Sequence, residues 1–232
     1  MTDKKILVLG ATGPSGILIL RELVYRNHAT IAYVRNPGKV PADLVHNPLL
    51  EIVEGQMDDV EKVNKVVART SAVLSILGPI SASADPLLYR GYYSTLLTAM
   101  KRHGVKRILA MSTLSAGDSM DSFSLVANLL VFAVRLFANS ARLTMLEIAD
   151  VFQKEGQGLD WTVYRIPFIW GDGSAESWAK NRELGEAYAG PIGGRGWKVS
   201  LPRAVLAKWL VDSAEGKHDE WIGKMPALSL RA

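Results

Sequence analysis

Gly10, Gly13 and Gly16 recur at three-residue intervals, directly after the apolar run Ile6-Leu7-Val8-Leu9 and before a stretch carrying Ile17, Leu18, Leu20, Leu23 and Val24. An apolar strand that ends in a glycine-rich turn and opens into an amphipathic helix presents backbone N–H groups and a helix N-terminus to a phosphate. Gly10 permits the tight turn, Gly13 lets backbone approach the phosphates, and Gly16 removes a side chain where helix meets strand. Thr12 and Ser15 add hydroxyl donors to the same turn, with Pro14 between them. The arrangement predicts a dinucleotide site.

The residue closing the second strand selects the dinucleotide, because it lies beside the adenosine ribose. A carboxylate there accepts from a free 2′-hydroxyl, whereas an arginine meets a 2′-phosphate with a fork of donors. The sequence reads Ala32-Tyr33-Val34-Arg35-Asn36-Pro37, so Arg35 stands there and no carboxylate does. NADP(H) is the expected cofactor. Other chemistries find less support. The chain has no cysteine, which excludes disulfides, thiolate metal sites and cysteine nucleophiles. Its histidines, His28, His46, His103 and His218, show no metal-ligand spacing.

The elements that must position these residues follow from periodicity. Strands are predicted at Ile6–Leu9, Thr30–Val34, Leu50–Glu54, Ala72–Ile76, Arg107–Met111 and Trp161–Ile166, alternating with helices near 15–26, 59–69, 87–103, 141–156 and 202–215. Such alternation predicts an α/β chain with a Rossmann-type, doubly wound parallel sheet, whose ligands sit beyond the carboxyl ends of the strands. The 232 residues suffice for one domain over 1–232, with substrate-side segments at about 115–145 and 170–200 and a small C-terminal substrate-side region. The glycine cluster Gly190 to Gly196 reads as an exposed turn.

Lys+Arg 27 against Asp+Glu 23 is a modest excess without a basic block, so nucleic acid is not an expected partner. The first strand begins too early to leave room for a signal peptide, and a cytoplasmic monomer or homodimer acting on a small molecule is expected. Phe123 to Phe137 is apolar around most of a helix, broken mainly by Asn128 and Arg135, and is too short to span a bilayer. It is open to three readings: a buried core helix, a wall or lid over an apolar substrate, or a contact with a partner or membrane surface.

Taken together, Gly10-Ala-Thr-Gly13-Pro-Ser-Gly16, Val34-Arg35-Asn36-Pro37, Gly55-Gln-Met-Asp58, Leu77-Gly78, Met111-Ser112-Thr113 and Trp161-Thr-Val-Tyr-Arg165-Ile-Pro167 resemble the atypical short-chain dehydrogenase/reductases. Within that superfamily the chain is similar to NmrA-like proteins and the flavin reductase/biliverdin reductase B type. The resemblance implies that Asp58 lies near the adenine and that Leu77 and Gly78 run along the ribose and pyrophosphate. The alternative for Asp58 is a cap on the following helix. By the same likeness Met111, Ser112 and Thr113 lie under the nicotinamide, with Ser112 or Thr113 as a catalytic hydroxyl. Pro167, Phe168 and Ile169 then offer backbone to the carboxamide. The sequence departs from the typical short-chain dehydrogenases, which carry a tyrosine four residues before a lysine, since no tyrosine here has a lysine at that spacing. The resemblance then implies NADPH-dependent reduction, without a Tyr–Lys pair, of a conjugated or aromatic acceptor such as a flavin, quinone or polyketide-like molecule. The alternative is a catalytically idle NADP(H)-binding sensor of the NmrA type.

Overall fold

The computed structural model describes residues 4–79 and 85–231. Six strands follow the apolar runs: β1 (Lys5–Leu9), β2 (Thr30–Val34), β3 (Leu50–Glu54), β4 (Thr70–Ser75), β5 (Arg107–Thr113) and β6 (Asp160–Ile166). They pair in parallel in the order β3-β2-β1-β4-β5-β6. A strand returning parallel to its neighbour must cross a face of the sheet, and the crossovers are helical: α1 (Pro14–Tyr25), α3 (Val60–Val67), α4 (Pro86–His103) and α6 (Asn139–Glu155). A single turn, α2 (Ala42–Val45), precedes β3, and α5 (Leu125–Phe137) precedes α6.

Both faces are covered, as a parallel sheet requires. On one face Val63, Val66, Leu96, Met100, Ile148 and Phe152 of α3, α4 and α6 pack on Leu7, Leu9, Val73 and Ile108. On the other, Leu18, Ile19 and Leu23 of α1 meet Leu206 and Leu210 of α8 (Arg203–Ala214) over Val8 and Leu74. Local chemistry sets the helix ends. Asp85 accepts from the Leu87 N–H to start α4, and Gly104, at φ +68°, ends it in the left-handed conformation. Ser124 caps α5 through the Ala127 N–H.

The C-terminal third adds elements that periodicity did not predict. β7 (Phe168–Trp170) pairs with β9 (Ser200–Pro202) in a small parallel sheet, and α7 (Ala175–Asn181) lies between them in sequence. β10 (Ala227–Leu230) extends the main sheet parallel to β6, and β8 (Ala187–Gly190) closes that edge antiparallel to β10. The Gly190–Gly196 loop is more than an exposed turn, because Ile192 is buried and accepts at its carbonyl from the Ser122 N–H at 2.9 Å. Arg165, 1 % exposed in β6, is a strut: it donates to the Met225 and Ala116 carbonyls at 2.6 and 2.9 Å and to both oxygens of Asp121. This holds the stretch after β5 against the sheet. Of the apolar segment's three readings, the core helix falls, since Ala127 is the one residue of α5 that is buried.

Candidate functional site

The strand order reverses between β1 and β4, and a crevice opens beyond their carboxyl ends. Gly10, at φ +78°, turns the chain there; a Cβ at this position would lie 3.0 Å from the Ile76 carbonyl oxygen. A Cβ on Gly16 would overlap the Gly10 carbonyl itself, so the turn and the first helical turn fit together only without one. Gly13 differs, because a Cβ there would meet nothing nearer than 3.7 Å. Packing therefore tolerates a side chain at Gly13, and what it would fill is the space in front of α1, whose N-terminus no side chain caps. Two cavities share Gly10, Gly13, Ile76 and Gly78 as their common wall.

The first cavity, about 240 Å³, runs from Thr12 across Tyr33, Arg35, Met57, Leu77 and Tyr89. Arg35 makes no hydrogen bond or ion pair among the described residues, so its guanidinium is free to meet an anion at the end of β2. The Tyr33 phenol donates to the Gln56 carbonyl at 2.7 Å, holding the turn after β3 against β2. Burial, with Asp59 and Asp58 nearby, pushes its pKa up to about 12. Tyr89 donates to the Gly78 carbonyl at 2.9 Å. Burial raises its pKa and the charge of Arg35 opposes that rise. Asp58 lies in an adjoining depression with Arg35, Glu54 and Lys62 rather than in this cavity. The helix cap is Asp59, which accepts from the Lys62 N–H at 2.9 Å, so the capping alternative for Asp58 does not hold.

The second cavity, about 380 Å³, is bounded by Pro14, Ser15 and Gly16 on one side and by Met111, Thr113, Val134, Met145 and Ile169 on the other. Strand alternation separates the two hydroxyls expected here. Thr113 lines the cavity, whereas Ser112 is fully buried and donates to the Met145 carbonyl at 2.9 Å, tying β5 to α6. Ser112 thus has no access to a reacting molecule. Ile169 also lines the cavity; Pro167 does not, and Phe168 is 69 % exposed. Arg142 and Arg203 are the ionisable residues among the described lining groups. Arg203 donates to the Gly171 carbonyl at 2.5 Å, and burial lowers its pKa, with its Nε left without a partner. Tyr93 and Tyr164 are buried beside β4, one sharing a 2.7 Å hydrogen bond with the Ser75 hydroxyl and the other donating to the Ser75 carbonyl at 2.8 Å. Burial raises both phenols' pKa values.

Val134 belongs to the apolar segment for which a wall is one reading, and Ala141, Arg142 and Met145 to the stretch at about 115–145 expected on the substrate side, though the sequence singles out none of them; Arg203 lies outside both. Ala141, Arg142 and Met145 share one face of a helix by their spacing, a signal that was present without indicating what the face meets. The chain as a whole matches a known family and known folds. A model of the NAD(P)H-binding family matches residues 10–216. Among solved structures, a wide-type short-chain dehydrogenase/reductase from Veillonella parvula in complex with NADP shares 15 % identity over 97 % of this chain and 94 % of that one, at TM-score 0.72. An oxidoreductase from Lactococcus lactis shares 18 % over 97 % and 90 %, at 0.68. An anaerobillin reductase from Escherichia coli O157:H7 shares 16 % over 97 % of each chain, also at 0.68. At such identities the structural likeness is one of fold, but the family match runs from the glycine turn through α8, and the chain belongs to the NAD(P)H-binding family.

Proposed function

We propose that this protein is an NADPH-dependent reductase of a small conjugated or aromatic acceptor, working without a Tyr–Lys pair. One observation carries the reading. The cavity beyond the glycine turn is walled by Met111, Val134, Met145, Ile166 and Ile169, and apart from Arg142 and Arg203, which stay protonated and give up no proton, its described lining includes no histidine, lysine, tyrosine or carboxylate. Such a site suits an apolar acceptor that needs orientation and takes its proton from water.

The residues fit the cofactor. The empty space in front of Gly13 and the uncapped start of α1 suit a pyrophosphate, with Thr12 and Ser15 as hydroxyl donors and Pro14 beside them. Arg35 would hold a 2′-phosphate, and Leu77 and Gly78 would flank the ribose. Asp58 would approach the adenine edge from the neighbouring depression, which shares Arg35, Gly55 and Gln56 with the cavity that Leu77 lines. Met111 and Ile169 would bracket the nicotinamide, with Pro167 and Phe168 contributing backbone alone. When bound, the cofactor supplies a hydride equivalent. Thr113, the hydroxyl at the far wall, would orient a polar edge of the acceptor, while the apolar walls exclude water from its face. The missing acid–base group also favours a second reading, an idle NADP(H) sensor.

NADPH oxidation against a panel of flavins, quinones and aromatic ketones separates the two. The reductase reading expects turnover with at least one apolar acceptor. Tight NADPH binding with no turnover across the panel would favour the sensor.

A further inference from the structure

Helix α5 leaves a broad apolar surface in water. Leu125, Leu129, Phe132 and Leu136 are 59–62 % exposed, and Phe137 at its end is 83 % exposed. With 3.6 residues per turn, the arc from Phe132 through Leu125 and Val126 to Leu130 spans about 160° of the helix. A second helix seated on α5 would cover the narrow seam of Leu125, Leu129, Phe132 and Leu136 and leave Val126 and Leu130 wet. A helix lying in a membrane interface buries a broad arc of this kind.

Charge points the same way. No acidic residue occurs from Ser122 to Leu146, a stretch that contains Arg135 and Arg142. Arg135 is exposed and makes no hydrogen bond or ion pair among the described residues. The acids that bracket the stretch are already engaged, Asp121 by Arg165 at 2.5 Å and Glu147 by Arg90 at 2.7 Å. At the other end of the helix, exposed Arg195 sits in the loop whose Ile192 carbonyl holds Ser122. Basic residues therefore stand at both ends of an apolar face with no acidic residue on it. Among the described residues no single helix is long and apolar enough to cross a membrane, and α5 meets α6 at a 115° bend.

We infer that α5 docks this protein onto an anionic lipid surface, its outer face among the acyl chains and Arg135 and Arg195 at the headgroups. Docking places Val134, which lines the acceptor-side cavity from the same helix, beside the lipid.

The test is flotation of the purified full chain with phosphatidylcholine vesicles, with and without phosphatidylglycerol. The expected result is recovery with the anionic vesicles, falling about fivefold for each of Arg135→Gln and Arg195→Gln. Recovery should be lost in the double variant Leu129→Glu/Phe132→Glu. Unchanged NADPH titration and an unchanged thermal melt show that each variant is folded. Because Leu129 and Phe132 lie on the surface, Leu129→Ser/Phe132→Ser serves as the milder pair should the charged one misfold. Failure to float with either vesicle, or equal flotation with both, overturns the inference. A wild-type dimer that the double variant converts to a monomer also overturns it, and makes the face a contact between copies.

Discussion

The two cavities that meet at Gly10 and Gly13 are built from different materials. On the β2–β3 side polar groups stand among apolar ones: Thr12, Gln56, the Tyr33 and Tyr89 phenols and Arg35, unpaired among the described residues, beside Met57, Leu77 and Leu88. On the β5–β6 side the walls are mostly methionine, valine and isoleucine side chains from β5, α5, α6 and β7, with Thr113, Arg142 and Arg203 among them. Two groups of the polar side have fixed geometry, the Tyr33 and Tyr89 phenols, because they are tied to the Gln56 and Gly78 carbonyls. The apolar side is shaped by side chains that could be exchanged for others of similar volume.

The largest expected effects fall on the glycine turn between the cavities and break the contrast if it is false. Gly16→Val should abolish NADPH binding and lower the melting temperature markedly, since its Cβ overlaps the Gly10 carbonyl. Gly13→Val should abolish binding as fully while leaving the melt nearly unchanged, because no protein atom lies within 3.7 Å of its Cβ. Calorimetric titration and a melting curve on each variant check both. Next, Arg35→Ala should weaken NADPH by about 1.5–3 kcal/mol, roughly ten- to a hundredfold, and leave NADH unchanged. Titration of both cofactors against both proteins would show it.

Smaller effects sharpen the comparison. Val134→Gln should raise the KM of an apolar acceptor about fivefold, the equivalent of about 1 kcal/mol of apolar contact, with NADPH affinity unaltered in steady-state kinetics. Tyr89→Phe, which removes only the bond to the Gly78 carbonyl, should cost far less than the 10²–10⁴-fold expected for loss of a general acid. The smallest concerns acid. Burial pushes Glu215 up, but His28, Lys217 and Arg26 together outweigh it and hold its pKa at about 2, below the ordinary 4.5. A depressed carboxylate stabilises the fold above its unfolded pKa, so this contribution is intact above 4.5 and is lost as pH falls toward about 2. Glu215→Gln should flatten part of the fall in melting temperature over that range, as followed by circular dichroism.

The polar side was the more legible of the two in the sequence. The roles proposed for Gly10, Gly13, Gly16 and Arg35 rest on backbone conformation and a single charge, which residue type and position alone specify. Adjacent carboxylates were harder. Asp58 and Asp59 are equivalent on paper, and only the path of the backbone makes Asp59 the cap. Likewise the alternation of β5 shows that Ser112 and Thr113 face opposite ways without saying which meets the cavity. The α5 segment misleads for a related reason, because an apolar helix reads alike whether the protein or something outside it covers the apolar face. β7 through β10 are three or four residues long, too short for a period-2 pattern to stand out.

The division of labour across the glycine turn is tested most directly by initial rates of NADPH oxidation over a grid of NADPH and apolar quinone concentrations. Wild type, Arg35→Ala and Val134→Gln would be measured side by side. The account predicts turnover by the wild type, a rise in the NADPH constant alone for Arg35→Ala, and a rise in the quinone constant alone for Val134→Gln. Variants that each move both constants equally, or a wild type that binds NADPH and never oxidises it, would contradict it.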